Sequence, residues 1–227
     1  MKVLVLLSGG LDSTTALAMA VDKYGKDNVV ALSISYGQKH IKEIEASNNI
    51  AKYYGVEHLY LDLAKIFENS NCSLLKKNNM EIPEGDYKSQ IEKTGPVIST
   101  YVPFRNGLFL SSAASIAISK DCEIIYYGAH SDDAALNAYP DCSKEFNDSI
   151  NNAIYVGSGK KCRVEGPFIN LHKKDIVKIG LDLKVPYNLT WSCYNGNKKA
   201  CGKCATCLDR KKAFIDNGTV DPIEYEV

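Results

Sequence analysis

Two stretches of the chain hold residue types at spacings that could do chemistry. The first is Ser8-Gly9-Gly10-Leu11-Asp12-Ser13, near the N-terminus. Two glycines, two hydroxyls and a carboxylate follow an apolar run and precede a helical pattern. Glycine lets backbone N–H groups approach an anion closely, and the positive end of the following helix points at the same place. Ser8 and Ser13 add hydroxyl donors. The P-loop pattern G-x-x-x-x-G-K-[ST] is absent, because no lysine closes the turn. The plainer alternative is a strand–helix turn capped by Asp12 or Ser13.

The second stretch is Cys193-x7-Cys201-x2-Cys204-x2-Cys207. Four thiolates at this spacing suit a zinc ion, which takes four soft ligands in a tetrahedron with Zn–S near ~2.3 Å. Gly202 eases the turn between the paired sulfurs. Four protein ligands leave no open position, so the site is expected to be structural. An iron–sulfur cluster and a redox C-x-x-C pair are the other chemistries that this spacing allows. Cys72, Cys122, Cys142 and Cys162 are scattered singly and read as small buried hydrophobes.

The elements that position these stretches follow from periodicity. Lys2–Leu7 is an apolar strand without alternation, as expected when both faces are covered. Ser13–Tyr24 reads as a helix with Leu17, Ala20, Val21 and Tyr24 on one stripe. Asn28–Ser35 is a second strand, Gln38–Tyr54 a second helix stopped by Gly55, and Glu57–Leu63 a third strand. Strand–helix alternation implies a parallel sheet with right-handed crossovers. Residues 69–100 are polar and irregular, with Pro83, Gly85, Gly95 and Pro96, which suggests a functional loop such as a lid. A helix over Asn106–Ser119 is expected to bury Leu110, Ala113, Ala114 and Ala117. A strand at Glu123–Gly128 follows, with helices at Ser143–Tyr155 and Lys173–Leu183; Pro186 lies just beyond the last. A final helix leads from the cysteines toward Gly218. The expected organisation is one α/β domain over residues 1–190 and a metal-binding segment over 191–227 packed on it.

Composition bounds the partners. The 227 residues are 45% hydrophobic, enough for one substantial core. Lysine plus arginine and aspartate plus glutamate both number 27, so the basic excess of a duplex-binding domain is missing. No apolar run approaches the roughly 20 residues of a membrane span. No signal peptide pattern is seen, and clustered rather than spread cysteines suit a cytoplasmic chain.

Further stretches narrow the reading. They are SYGQKHIKEI (residues 35–44), YVPFRNGLFLSSAA (101–114), GAHSDDAALNAYPDCSKEF (128–146) and TWSCYNGNKKACGKCATCLDRKKAF (190–214). The S-G-G-x-D-S string resembles the pyrophosphate loop of the adenine-nucleotide α-hydrolases, which cleave ATP between its α- and β-phosphates. Together with V-P-x-R-N, Y-P-D-C and the cysteine spacing, it resembles the QueC family of 7-cyano-7-deazaguanine synthases over nearly the whole chain. The likeness is weakest over residues 69–100.

The resemblance implies an α/β fold: a Rossmann-like parallel sheet of the α-hydrolase type with a small C-terminal zinc knuckle. It implies conversion of 7-carboxy-7-deazaguanine to the nitrile preQ0, a queuosine and archaeosine precursor. ATP with Mg2+ adenylates the carboxylate, ammonia displaces AMP to give an amide, and a second ATP activates the amide oxygen. The departing pyrophosphate would lie in the loop, so the missing lysine marks a different reaction from γ-phosphate transfer. Leu7, Ser8, Gly9, Gly10, Leu11, Asp12, Ser13, Thr14, Thr15, Ala16 and Leu17 are the expected ATP-binding stretch. Ser8, Asp12, Ser13, Arg105 and Lys174 are the catalytic candidates. Arg105 offers a bidentate fork to phosphate or carboxylate, and Lys174 opposes the dipole at a helix start, which favours a phosphate role. Gln38, His40, Asn106, Asp132, Asp133, Tyr139, Asp141 and Arg210 are the substrate-binding candidates. Bland alternatives stand beside these: a surface pair for His40 and Glu43, a cap for Asn106 or Asp141, and a solvated charge for Arg210. Many bacterial members read D-x-S-G-Y-P-D where this chain has residues 133–141 without the S-G, which leaves Asp132 and Asp133 both open. The family also implies a homodimer with small-molecule substrates and no direct nucleic acid contact. The competing activities are an amide-forming relative using another amine and a zinc-knuckle RNA-binding module.

Overall fold

The computed structural model describes residues 1–39, 42–95, 98–134, 138–195 and 198–226. In chain order the regular elements are β1 (Val3–Leu6), α1 (Leu11–Tyr24), β2 (Val29–Ser35), α2 (Lys42–Tyr54), β3 (Glu57–Asp62), α3 (Tyr87–Thr94) and α4 (Arg105–Ser119). They continue with β4 (Ile124–Tyr126), α5 (Ser131–Ala134), α6 (Lys144–Gly157), β5 (Arg163–Glu165), α7 (Lys173–Asp182) and α8 (Ala205–Asp216). The five strands form one parallel sheet in the order β3-β2-β1-β4-β5.

The unalternating apolar run of β1 is explained by cover on both faces. Val3, Val5 and Leu7 join a core with Leu17 and Ala20 of α1, Ile176 and Val177 of α7, and Phe214 of α8. Leu4 points the other way, into a core with Leu110, Ala113, Ala114 and Ala117 of α4 and Ile154 of α6. The chain runs outward from β1 to β3, then returns to β4 on the other side. Strand order therefore reverses between β1 and β4, and parallel sheets bind ligands beyond the carboxyl ends of strands at such a point.

Three elements, α3, the single turn α5 and β5, were not expected from sequence. β5 has only three residues and carries too little pattern to read. Residues 69–100 contain α3, capped by Asp86, whose carboxylate accepts from Ser89 N at 2.7 Å. This segment is tied to the cysteine stretch by an antiparallel bridge between Glu84 and Cys204, and by Gly85 N donating to Lys203 O at 3.0 Å. The second helix also starts later than expected, since Gln38 and Lys39 form a bridge and a bend before it. Cys72, Cys122, Cys142 and Cys162 are all buried among apolar side chains. No helix among the described residues is long and apolar enough to cross a membrane.

Candidate active site

The glycine turn lies at the carboxyl end of β1 and opens into a cleft. Its helix is uncapped by any side chain: Gly10 is the N-cap, and neither Asp12 nor Ser13 takes that role. Gly10, Asp12 and Ser13 line the cleft at this helix end with the helix dipole behind them, while Leu11 N turns to Ser192 Oγ at 3.5 Å. Ser13 Oγ accepts from Ser8 N at 3.1 Å and lies 2.9 Å from Ser8 Oγ, which in turn accepts from Gly10 N at 3.2 Å. These bonds fold the turn into a cradle. Gly9 has φ +84°, and a Cβ there would meet Glu43 O at 2.5 Å and Ser47 N at 2.7 Å. Gly9 is thus required by close packing of α2, in a conformation that also suits glycine.

The expected ATP-binding stretch is only partly cleft-facing. Leu7, Ser8, Gly10, Asp12 and Ser13 line the cleft. Gly9, Leu11, Thr14, Thr15, Ala16 and Leu17 do not; the last five are buried side chains that anchor α1. Thr14 Oγ1 donates to Gly10 O at 2.7 Å, and Thr15 Oγ1 lies 2.8 Å from Tyr187 OH.

The lysine that reaches the loop is Lys173, not Lys174. Lys173 Nζ donates to Asp12 Oδ2 at 2.7 Å and lies 3.1 Å from His130 Nε2. Lys174 is exposed and lies outside this cleft. The reason is helical phase: Lys173 shares its stripe with the buried Ile176, Val177 and Gly180. Burial pushes Asp12 up, but Lys173 and His130 outweigh it and hold the carboxyl below its usual value. Asp12 Oδ1 is buried without a hydrogen-bond partner. Asp133 Oδ2 lies 3.3 Å from His130 Nε2 and lines the cleft. Asp132 turns away: it accepts from Lys173 N at 2.8 Å and lies 2.6 Å from His172 Nδ1. Asp209, at the same wall, is pushed up to about 6 by burial. Lys173, His130 and Asp209 were missed in the sequence; the helical stripe was the usable signal for Lys173.

The opposite wall carries Tyr36, Gln38, Glu43, Arg105 and Asn106. Arg105 Nη1 donates to Tyr36 OH at 3.3 Å, with its guanidinium over the Tyr36 ring at 5.3 Å. Gln38 lies in the cleft wall, but its Oε1 is occupied by Tyr36 N at 2.9 Å. Asp141 is buried and accepts from Asn106 N at 2.8 Å. Asn106 Nδ2 donates to Asp141 O at 3.0 Å. Asp141 therefore holds the start of α4 and with it Arg105, and does not line the cleft. Tyr139 is buried behind the wall, its OH 2.8 Å from Thr100 Oγ1 and 3.4 Å from Tyr194 OH. Tyr87 and Tyr194, not Tyr139, face the cleft. His40 lies outside the described residues, as do residues 135–137 of the sequence departure.

The cysteine stretch closes one end. The four sulfurs of Cys193, Cys201, Cys204 and Cys207 all lie within 4.8 Å of one another and are buried. A tetrahedron of Zn–S bonds near ~2.3 Å separates its sulfurs by about 3.8 Å. The Cys204–Cys207 and Cys201–Cys207 separations are 3.5 and 3.9 Å. Backbone N–H groups of Asn195 and Cys201 donate to Cys193 Sγ, both at 3.3 Å, and so favour thiolates. The donor set therefore fits one tetrahedral ion. The same stretch reaches the loop: Trp191 N donates to Gly9 O at 2.9 Å, and Ser192 Oγ faces Leu11 N at 3.5 Å. Arg210, expected at the substrate, does not line the cleft. It is fully buried, forks onto Asp221 at 2.6 and 2.9 Å, and donates to Thr190 Oγ1 and Ser192 Oγ at 2.7 and 3.2 Å.

The model of the queuosine biosynthesis protein QueC family matches residues 2–218. The chain belongs to the QueC family. It is 44% identical over 225 residues to 7-cyano-7-deazaguanine synthase of Pseudoalteromonas atlantica, covering 99% of both chains. It is 45% identical to the synthase of the same name from Picrophilus torridus, covering 99% of this chain and 92% of the relative. Two solved structures share the fold at a TM-score of 0.51. One is the U34-tRNA thiolase NcsA of Methanococcus maripaludis with its [4Fe-4S] cluster, 17% identical, covering 86% of this chain and 60% of that one. The other is the NH3-dependent NAD synthetase of Campylobacter jejuni, 16% identical, covering 83% and 66%. These two likenesses concern the fold alone. The expected α/β parallel fold and QueC membership both hold.

Proposed function

We propose that the cleft converts 7-carboxy-7-deazaguanine and ammonia to 7-cyano-7-deazaguanine at the expense of ATP, releasing AMP and pyrophosphate. The observation that carries this is the uncapped α1 N-terminus at the S-G-G-x-D-S turn, joined to Lys173 through Asp12. An open helix end with a lysine beside it neutralises a pyrophosphate that leaves. Lys173 has a third proton beyond those aimed at Asp12 and His130, and it lines the cleft. Asp12, with its unpartnered Oδ1, and the nearby Asp133 would hold the Mg2+ that accompanies ATP, which supplies further charge neutralisation. Arg105, held by Tyr36 and by the Asp141–Asn106 contact, presents a fork to the acceptor's carboxylate.

We read the four cysteines as a structural zinc site, since the sulfurs cluster around a single point rather than around a cube of iron and sulfide. On this reading residues 1–190 form the ligase domain and 191–227 the metal-binding segment. The enzyme is then a cytoplasmic homodimer acting on small molecules without contacting nucleic acid. The test is ATP–pyrophosphate exchange without ammonia. Exchange that depends on 7-carboxy-7-deazaguanine is expected; exchange that ignores this acid refutes the proposal.

A further inference from the structure

The proposed reaction has a demand that the residues described so far do not meet. When ammonia attacks the acyl adenylate, a C–N bond forms, the C–O bond to AMP breaks, and nitrogen must lose one proton. When the amide is adenylated on oxygen and AMP leaves, nitrogen must lose two more protons as the C≡N bond forms. Lys173 and Arg105 are cations and cannot take them. Asp12 is engaged by Lys173 at 2.7 Å, Asp133 faces His130 at 3.3 Å, and Asp209 stands on the Lys173 wall, where that cation acts on it, rather than beside Arg105.

Glu43 is placed differently. It stands in the first turn of α2, whose backbone packs directly on Gly9 of the pyrophosphate loop. It lines the same cleft as Ser8, Ser13 and Arg105. Among the described residues its carboxyl has no hydrogen bond or ion pair, and it lies close enough to Arg105 to feel that charge. With the acceptor's carboxylate on Arg105, next to the loop that would hold the pyrophosphate, the reacting carbon would lie in the cleft that Glu43 lines.

We propose that Glu43 is the proton acceptor for nitrogen in this reaction, a role that rests on the functional reading above. Its carboxylate takes the proton that ammonia loses and those that the adenylated amide loses, and returns each to solvent between steps. Two titratable or charged groups among the described residues act on it: Arg105 from α4, and Tyr36 from the loop after β2. Burial pushes the Glu43 carboxyl up to about 7, against the pull of Arg105. A base poised near the working pH is half ionised there and still a useful acceptor.

The experiment uses the amide, 7-carbamoyl-7-deazaguanine, with ATP and magnesium, so that ammonium titration plays no part. In the wild type the rate of nitrile formation is expected to fall on acidification through about pH 7, because protonated Glu43 cannot accept. Glu43→Gln is expected to lose about 10²-fold or more of nitrile formation and the acid limb with it. Its ATP–pyrophosphate exchange in the presence of 7-carboxy-7-deazaguanine, which moves no proton from nitrogen, falls by at least about tenfold less than nitrile formation does. Glu43→Asp keeps a carboxyl and recovers at least about tenfold over Glu43→Gln. Wild-type nitrile formation matched by Glu43→Gln overturns the role, as does equal loss of exchange and of nitrile formation, or equal loss in the Gln and Asp variants. A wild type that exchanges pyrophosphate but makes no nitrile overturns the functional reading, and the role with it.

Discussion

Replacing Arg210 by methionine separates a buried structural cation from a substrate contact. The side chains of Arg210 and Asp221 are 1% and 3% exposed, and the fork between them is 2.6 and 2.9 Å. Removing one member of a buried ion pair strands the other and costs about 3–5 kcal/mol. Asp221 keeps Tyr225 OH at 2.6 Å and Ile223 N at 3.3 Å, so the low end applies. About 3 kcal/mol in a domain of this size lowers Tm by about 6–12 °C. The double change Arg210→Met with Asp221→Leu removes both charges and should recover more than half of that loss. Calorimetry on the three variants measures this, and KM for the deazaguanine acid well below Tm gives the second readout. An unchanged Tm together with a KM raised tenfold would show that Arg210 contacts substrate and that the structural account is wrong.

The remaining predictions concern the loop and the metal. Lys173→Met should lower steady-state turnover by about 10²-fold or more, because one charge facing the leaving pyrophosphate is gone. Lys174→Met should stay within about twofold, since an exposed lysine contributes little; equal losses in the two variants would contradict the placement of Lys173. Cys204→Ser should release the metal, lower Tm by about 10 °C or more, and shift Trp191 fluorescence. Trp191 is the reporter because its Nε1 donates to Cys193 O at 2.9 Å and its backbone N to Gly9 O. Full metal content with unchanged melting would refute the four-ligand site.

Much of the scaffold was legible because apolar periodicity is local. The buried stripe Leu110, Ala113, Ala114 and Ala117 is where the spacing put it, and the cysteine spacing brought four sulfurs together. The glycine turn was legible as an anion cradle, yet its first glycine is needed for a reason that lies in α2, far along the chain. Side-chain roles set by tertiary contacts were not legible. Asp141 and Arg210 look like substrate contacts in a string of letters, but each is spent on holding another element. Asp132 and Asp133 differ in their surroundings only once His172 and Lys173, at the start of α7, take Asp132 and leave Asp133 on the cleft. Helical phase, set by the buried Ile176 and Val177, turns Lys173 to the loop and Lys174 to solvent.

The central claim is that this cleft drives a carboxylate through an amide to a nitrile. The most direct measurement is the mass of the product formed from 7-carboxy-7-deazaguanine, ATP, magnesium and ammonium, with AMP counted alongside. The expected product is 7-cyano-7-deazaguanine with two AMP per nitrile. Amide that accumulates with one AMP each, under conditions where a known synthase completes the conversion, would contradict it.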